Sequence, residues 1–169
     1  SFWSPCDGQA SDVYKGQAGH HIIMVTVEAD VIAGPLLAQE AENEGVVYSL
    51  AWGDRPALIT EHVDWARTCG FDVVAAGKGT RYHPDYRALT PDTVWDVLQQ
   101  YLKIAAPESI NLKMFNSFLD GSKSSIEMTA VGNATGLVPQ STGLGFQPCS
   151  RLALADTCKL VMDGGSLNS

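Results

Sequence analysis

A chain of 169 residues that is 45% hydrophobic and 18% charged can build one real core and carries too little charge for a disordered segment. Nineteen acids against eleven bases leave a net charge of −8, which argues against a nucleic-acid surface, because such a surface needs clustered Lys and Arg to displace counterions from phosphate. No apolar run reaches the roughly 18 residues of a membrane span, and no basic start with an apolar stretch marks a signal peptide.

The four cysteines, Cys6, Cys69, Cys149 and Cys158, are widely spaced and form no C-x-x-C pair, so free thiols in a cytoplasmic setting are the expectation. Residues 1–19 mix Pro5, Gly8, Gly16 and Gly19 with polar residues and read as an irregular lead-in. The run Ile22-Ile23-Met24-Val25-Thr26-Val27 follows and suits a strand buried on both faces, ended by Glu28 and Asp30. A helix is predicted over 35–44, with Pro35 in its first turn and Gly45 past its end.

The pattern then repeats. Val46-Val47-Tyr48-Ser49-Leu50 reads as a second strand, and Asp54 stands where it would cap a helix running from about Pro56 to Thr68. Phe71-Asp72-Val73-Val74-Ala75-Ala76 reads as a third strand. The order strand, helix, strand, helix, strand implies an α/β fold: the later strands of a Rossmann-type parallel sheet (βαβαβ) over residues 20–80.

Beyond residue 80 a mostly helical region is predicted to the end of the chain. A Gly, Tyr and Pro loop leads to the helix start Thr90-Pro91-Asp92-Thr93, whose helix continues through Leu102 to Pro107. One long helix is predicted over about 112–135, stopped at Gly136. Loop over 137–150 and a last helical piece over about 151–162 complete the reading. The turn-rich ends suggest a fragment or a processed chain.

In open α/β sheets ligands sit outside the carboxyl ends of the strands. Here the strand ends deliver Glu28 and Asp30, then Gly53-Asp54-Arg55, then Gly77-Lys78-Gly79-Thr80. Each alone can be a cap or a turn; together they point to one edge. The two glycines beside Lys78 would let backbone amides approach an anion, and a plain surface loop is as good a reading of the bare pattern. It is not a Walker loop, because G-x-x-x-x-G-K-[ST] is absent.

On one continuous helix Asn116, Asp120, Lys123 and Glu127 would share a band of about 60°, with Lys113 one turn earlier. Spacing leaves a functional stripe and a solvated, charge-paired face evenly balanced. His20, His21, His62 and His83 show no metal-ligand spacing. Asn133-Ala134-Thr135 matches a glycosylation sequon that a cytoplasmic chain would not use.

Several stretches carry a resemblance. They are Val27-Glu28-Ala29-Asp30, Val47-Tyr48-Ser49-Leu50-Ala51-Trp52-Gly53-Asp54, Asp64-Trp65-Ala66-Arg67, Val74-Ala75-Ala76-Gly77-Lys78-Gly79-Thr80 and Thr90-Pro91-Asp92-Thr93-Val94-Trp95. Most specific is the run from Lys113 through Phe115-Asn116, Asp120-Gly121 and Lys123, and Asn133-Ala134-Thr135-Gly136-Leu137 follows it. In this order they resemble the homoserine-dehydrogenase-like oxidoreductases with a C-terminal SAF domain, a family that includes 1-deoxy-D-xylulose 5-phosphate reductoisomerase-like enzymes.

The resemblance implies hydride transfer with NADP or NAD on a small phosphorylated keto or hydroxy substrate, with a divalent metal, Mg or Mn, as an accompanying expectation. A homoserine-dehydrogenase-type reaction or a non-catalytic sugar-phosphate-binding or regulatory role are the alternatives. It implies proton transfer and oxyanion roles for Lys123 and Asp120, and substrate oxygens held by Lys113, Asn116 and Lys78. Gly79, Thr80 and Asp54 join the substrate-binding set, and Glu28, Asp54 and Glu127 are the acids expected at a metal. Residues 20–80 would be the C-terminal part of a Rossmann-like domain and 81–169 a catalytic portion. With no G-x-G-x-x-G before Ile22, the chain is expected to be inactive alone; a homodimer with neither nucleic-acid nor membrane partners completes the expectation.

Overall fold

The computed structural model describes residues 18–101, 110–140 and 143–168. Residues 1–17 of the lead-in expected over 1–19, with Cys6, and also Leu102 and Pro107 lie outside the described residues. The fold is α/β, with a small parallel sheet and mostly helices. Its strands are β1 (Ile22–Met24) and β2 (Tyr48–Leu50), paired in the register Ile22↔Tyr48, Ile23↔Ser49 and Met24↔Leu50. Between them runs α1 (Val27–Asn43), and after β2 comes α2 (Arg55–Thr68). Then follow α3 (Val94–Tyr101), α4 (Leu112–Leu119), α5 (Ser122–Thr135) and the short α6 (Leu154–Thr157).

The first strand is shorter than its apolar run. After Met24 the chain passes through Val25 and Thr26 into α1, so Glu28 and Asp30 occupy the first helical turn, where the helix dipole favours acids. Pro35 therefore lies inside the helix and not at its start. Proline cannot donate to the carbonyl four residues back. That carbonyl, on Val31, instead accepts from Asn133 Nδ2 of α5 at 3.4 Å.

Burial alternates along β1, with Ile22 and Met24 inside and Ile23 69% exposed, so the strand is covered on one face rather than both. The third expected strand is not formed. Residues 71–76 have no regular secondary structure, and Phe71 and Val74 face solvent. A β-prone run becomes a strand only where a neighbour pairs its backbone groups, and the described sheet has two strands.

The second helix follows its local signals closely. Asp54 Oδ1 accepts from the Arg55 amide at 2.8 Å, and Pro56 occupies the first turn. The long helix predicted over 112–135 is two helices. Asp120 ends α4, and Gly121, at φ 88°, turns the chain into α5. A Cβ on Gly121 would also meet the Phe146 ring at 3.0 Å, so this left-handed position is closed to other residues on two counts.

Helix α5 is the organising element. It packs against α1 on one side and α2 on the other, through the fully buried Ala130 and Val131. Ile22, Met24, Val27, Leu37 and Val63 are buried as well, each contributing about 1.5–3 kcal/mol, together with the smaller Ala41. No helix among the described residues is long and apolar enough to cross a membrane. Cys69, Cys149 and Cys158 are free thiols.

Candidate active site

The helix–loop arrangement brings the start of α2, the loop after residue 76 and the α4–α5 joint to one cleft. It has a volume of about 410 Å³ and is lined by Arg55, Lys78, Gly79, Thr80, Arg81, Phe118, Lys123 and Ser124. Four of these eight are cations. On a chain of net charge −8 this is a local concentration of the opposite sign, suited to an anion.

Two carboxylates organise three of the cations. Glu127 of α5 is 2% exposed and faces Arg55 through Oε1 at 3.3 Å and the Lys78 ammonium through Oε2. A carboxylate that deep is tolerable only when paired, so Glu127 ties the first residue of α2 to the glycine loop. Lys123 Nζ donates to Glu28 Oε1 of α1 at 2.8 Å. The hydrogen bond from Lys123 holds the Glu28 carboxyl below its ordinary value, against a partial loss of hydration.

A second joint supports the cleft from behind. Asn116, buried on α4, donates through Nδ2 to Leu89 O at 3.2 Å and to Asp120 Oδ2 at 2.9 Å. Asp120 Oδ1 accepts from the Ser122 amide at 2.8 Å, across the break at Gly121. Above that break the rings of Tyr82 and Phe146 stack, 4.2 Å apart and 17° from parallel. Phe146 adopts φ 41°, a strained conformation for an aromatic residue. The stack fixes the backbone directly after Arg81.

The expected site residues separate into groups. Lys78, Gly79, Thr80 and Lys123 line the cleft together. Asp120 and Asn116 are engaged with each other at the α4–α5 joint, and Lys113 is exposed and outside the lining. The reason is the break at Gly121: the shared 60° band assumed one continuous helix, and the turn redirects the residues on either side. Asp54 is used as the cap of α2, one residue from the cleft.

The three acids expected at a metal do not converge. Glu28 is held by Lys123, Glu127 by Lys78 and Arg55, and Asp54 by the Arg55 amide. Among the described residues no group of three or more His, Cys, Asp or Glu could hold a metal ion. Arg81, Phe118 and Ser124 are not among the residues that the sequence points to, and Arg55 is among them only as part of the turn Gly53-Asp54-Arg55. The two arginines do follow Asp54 and Thr80 directly, so a basic residue beside each proposed loop was the available signal.

Among curated proteins none matches the chain. Residues 53–169 match the family described as "Oxidoreductase DRL, catalytic domain". That stretch covers more than half of the chain and contains every residue lining the cleft. The chain therefore belongs to the DRL oxidoreductase family and carries its catalytic domain.

Proposed function

We propose that this oxidoreductase transfers a hydride between a nicotinamide cofactor, NADP or NAD, and a small phosphorylated keto or hydroxy substrate seated in the cationic cleft. The observation that carries the reading is the convergence of Arg55, Lys78, Arg81 and Lys123 on one space of about 410 Å³. That volume suits a small molecule. Arg55, Lys78 and Lys123 are held in place there by Glu127 and Glu28, which sets cationic groups ready for a phosphate.

The roles follow from placement. Lys78 lies between Gly77 and Gly79, where backbone amides can approach phosphate oxygens and the ammonium, held on Glu127, fixes the loop at the cleft. Lys123 is fixed by Glu28 and is the cation suited to the substrate carbonyl. It stabilises the oxygen as negative charge develops there, and supplies its proton as the hydride reaches carbon.

The nicotinamide supplies that hydride when bound. β1 enters α1 through Val25 and Thr26 with no glycine between, so no pyrophosphate-binding turn is formed at that junction. The part of this chain is the acceptor side of the reaction. Among the described residues no group of three or more His, Cys, Asp or Glu could hold a metal ion, and the charge stabilisation proposed here is assigned to lysine and arginine.

Calorimetric titration of the chain with dihydroxyacetone phosphate and with dihydroxyacetone tests the reading. The phosphorylated ketone is expected to bind and its parent not, with binding lost in Lys78→Met. Equal binding of the two ketones would count against it.

A further inference from the structure

Arg55 and Lys78 share one carboxylate, but not equally. Arg55 sits at 3.3 Å from Glu127 Oε1 with 57% of its side chain exposed, whereas Lys78 is 16% exposed and in closer contact with Oε2. Both line the cleft. Glu127 is 2% exposed and belongs to the central helix, so it cannot follow a departing partner. Arg55, by contrast, is the first residue of α2, with a long side chain largely in water.

We propose that Arg55 is the exchangeable cation of the cleft: it leaves Glu127 to grip an incoming anion, while Lys78 stays paired. Glu127 is then a resident competitor that sets how tightly the cleft holds its substrate. Physical chemistry favours this division. Arg55 gives up a long, solvent-facing contact of the kind worth about 1 kcal/mol or less, and gains two parallel hydrogen bonds to a phosphate. Lys78 would give up the closer, shielded pair and leave a buried carboxylate with only the long contact to Arg55, a larger loss. The inference rests on the reading of the cleft as an anion site.

Inorganic phosphate is the probe, titrated calorimetrically into the full chain. Glu127→Gln keeps the shape and removes the competing charge, so phosphate binding is expected to tighten about ten-fold, the scale of one like-charge repulsion across a partly shielded cleft. Arg55→Gln is expected to weaken binding, and the gain from Glu127→Gln should vanish in the double variant. Equal affinity of wild type and Glu127→Gln, or a gain that persists without Arg55, overturns the exchange while leaving the anion cleft standing. Absence of phosphate binding in every variant overturns both. Should Glu127→Gln fail to fold, the arginine side-chain resonances of the unaltered chain decide. Phosphate must shift the Arg55 guanidinium signal, and a signal that does not respond overturns the proposal.

Discussion

Lys78 and Glu127 meet as a shielded ion pair, one from a glycine-flanked loop and the other from the buried face of the central helix. The loop has no regular secondary structure, so this pair is a main reason its ammonium has a fixed place at the cleft. Replacement of Glu127 by Ala leaves Lys78 shielded without its counter-ion. The expected loss of stability is about 3 kcal/mol, at the lower end for a buried pair because Lys78 keeps some water contact. Chemical denaturation of the two proteins measures it, and a loss below about 1 kcal/mol would show the pair to be incidental.

The joint between α4 and α5 depends on Gly121. Gly121→Ala puts a Cβ on a left-handed residue and pushes it toward the Phe146 ring. The backbone alone costs about 2 kcal/mol, equivalent to a Tm drop of about 4–8 °C for a chain of this size. Thermal unfolding followed by circular dichroism reads the effect. Lys123 begins the next turn, so KM for the substrate should rise in the same variant.

Asp30 predicts a pH dependence. It is 5% exposed, and burial raises its carboxyl above the ordinary value of 3.8, with the Tyr48 hydroxyl bond at 2.8 Å opposing in part. A folded-state value above the unfolded one means the folded chain binds the extra proton. Stability from this group is therefore full below 3.8 and declines as pH rises through the folded value. Asp30→Asn keeps an acceptor for Tyr48 and removes the charge, so it should raise Tm at pH 7 and lose that advantage as pH falls toward 4. A variant less stable at pH 7 than the wild type would contradict this account of Asp30.

Pro35 interrupts the bonding of α1, and Asn133 partly repairs it from α5. Pro35→Ala restores the amide donor to Val31 and should stabilise the chain by about 1–2 kcal/mol, since some of the roughly 3 kcal/mol cost of an interior proline is offset by its restraint of the unfolded chain. Asn133→Ala should then cost less in the Pro35→Ala background than alone. Equal costs in both backgrounds would mean the Asn133 contact does not substitute for the missing bond.

The parts legible in the sequence are those governed by local chemistry. Asp54 before Arg55-Pro56 announced α2, and Gly136 announced the end of α5, because caps and left-handed turns act within a few residues. Three other segments depend on competing local signals or on contacts distant in sequence. In the run 22–27, Thr26 followed by Glu28 and Asp30 is a helix-start signal, but the apolar residues on both sides of it read as one continuous strand. The run 71–76 has strand composition without a pairing neighbour. Gly121 was counted as the interior of a periodic helix, though its neighbour Asp120 is a natural helix end, and the shared band of polar residues was lost with it. In the cleft, Lys78 and Lys123 could be read from their motifs, while Arg55 and Arg81 required the fold that brings α2, the loop and α5 together.

Lys123 is the group proposed to act on the substrate of this oxidoreductase from the cationic cleft. The most direct measurement is the rate of NADPH oxidation with a phosphorylated ketone, compared between Lys123→Met and the unaltered enzyme in the protein that carries this chain. A loss of about 100-fold in kcat is expected, the usual cost of removing one group that stabilises a developing oxyanion. Turnover unchanged by Lys123→Met would contradict it.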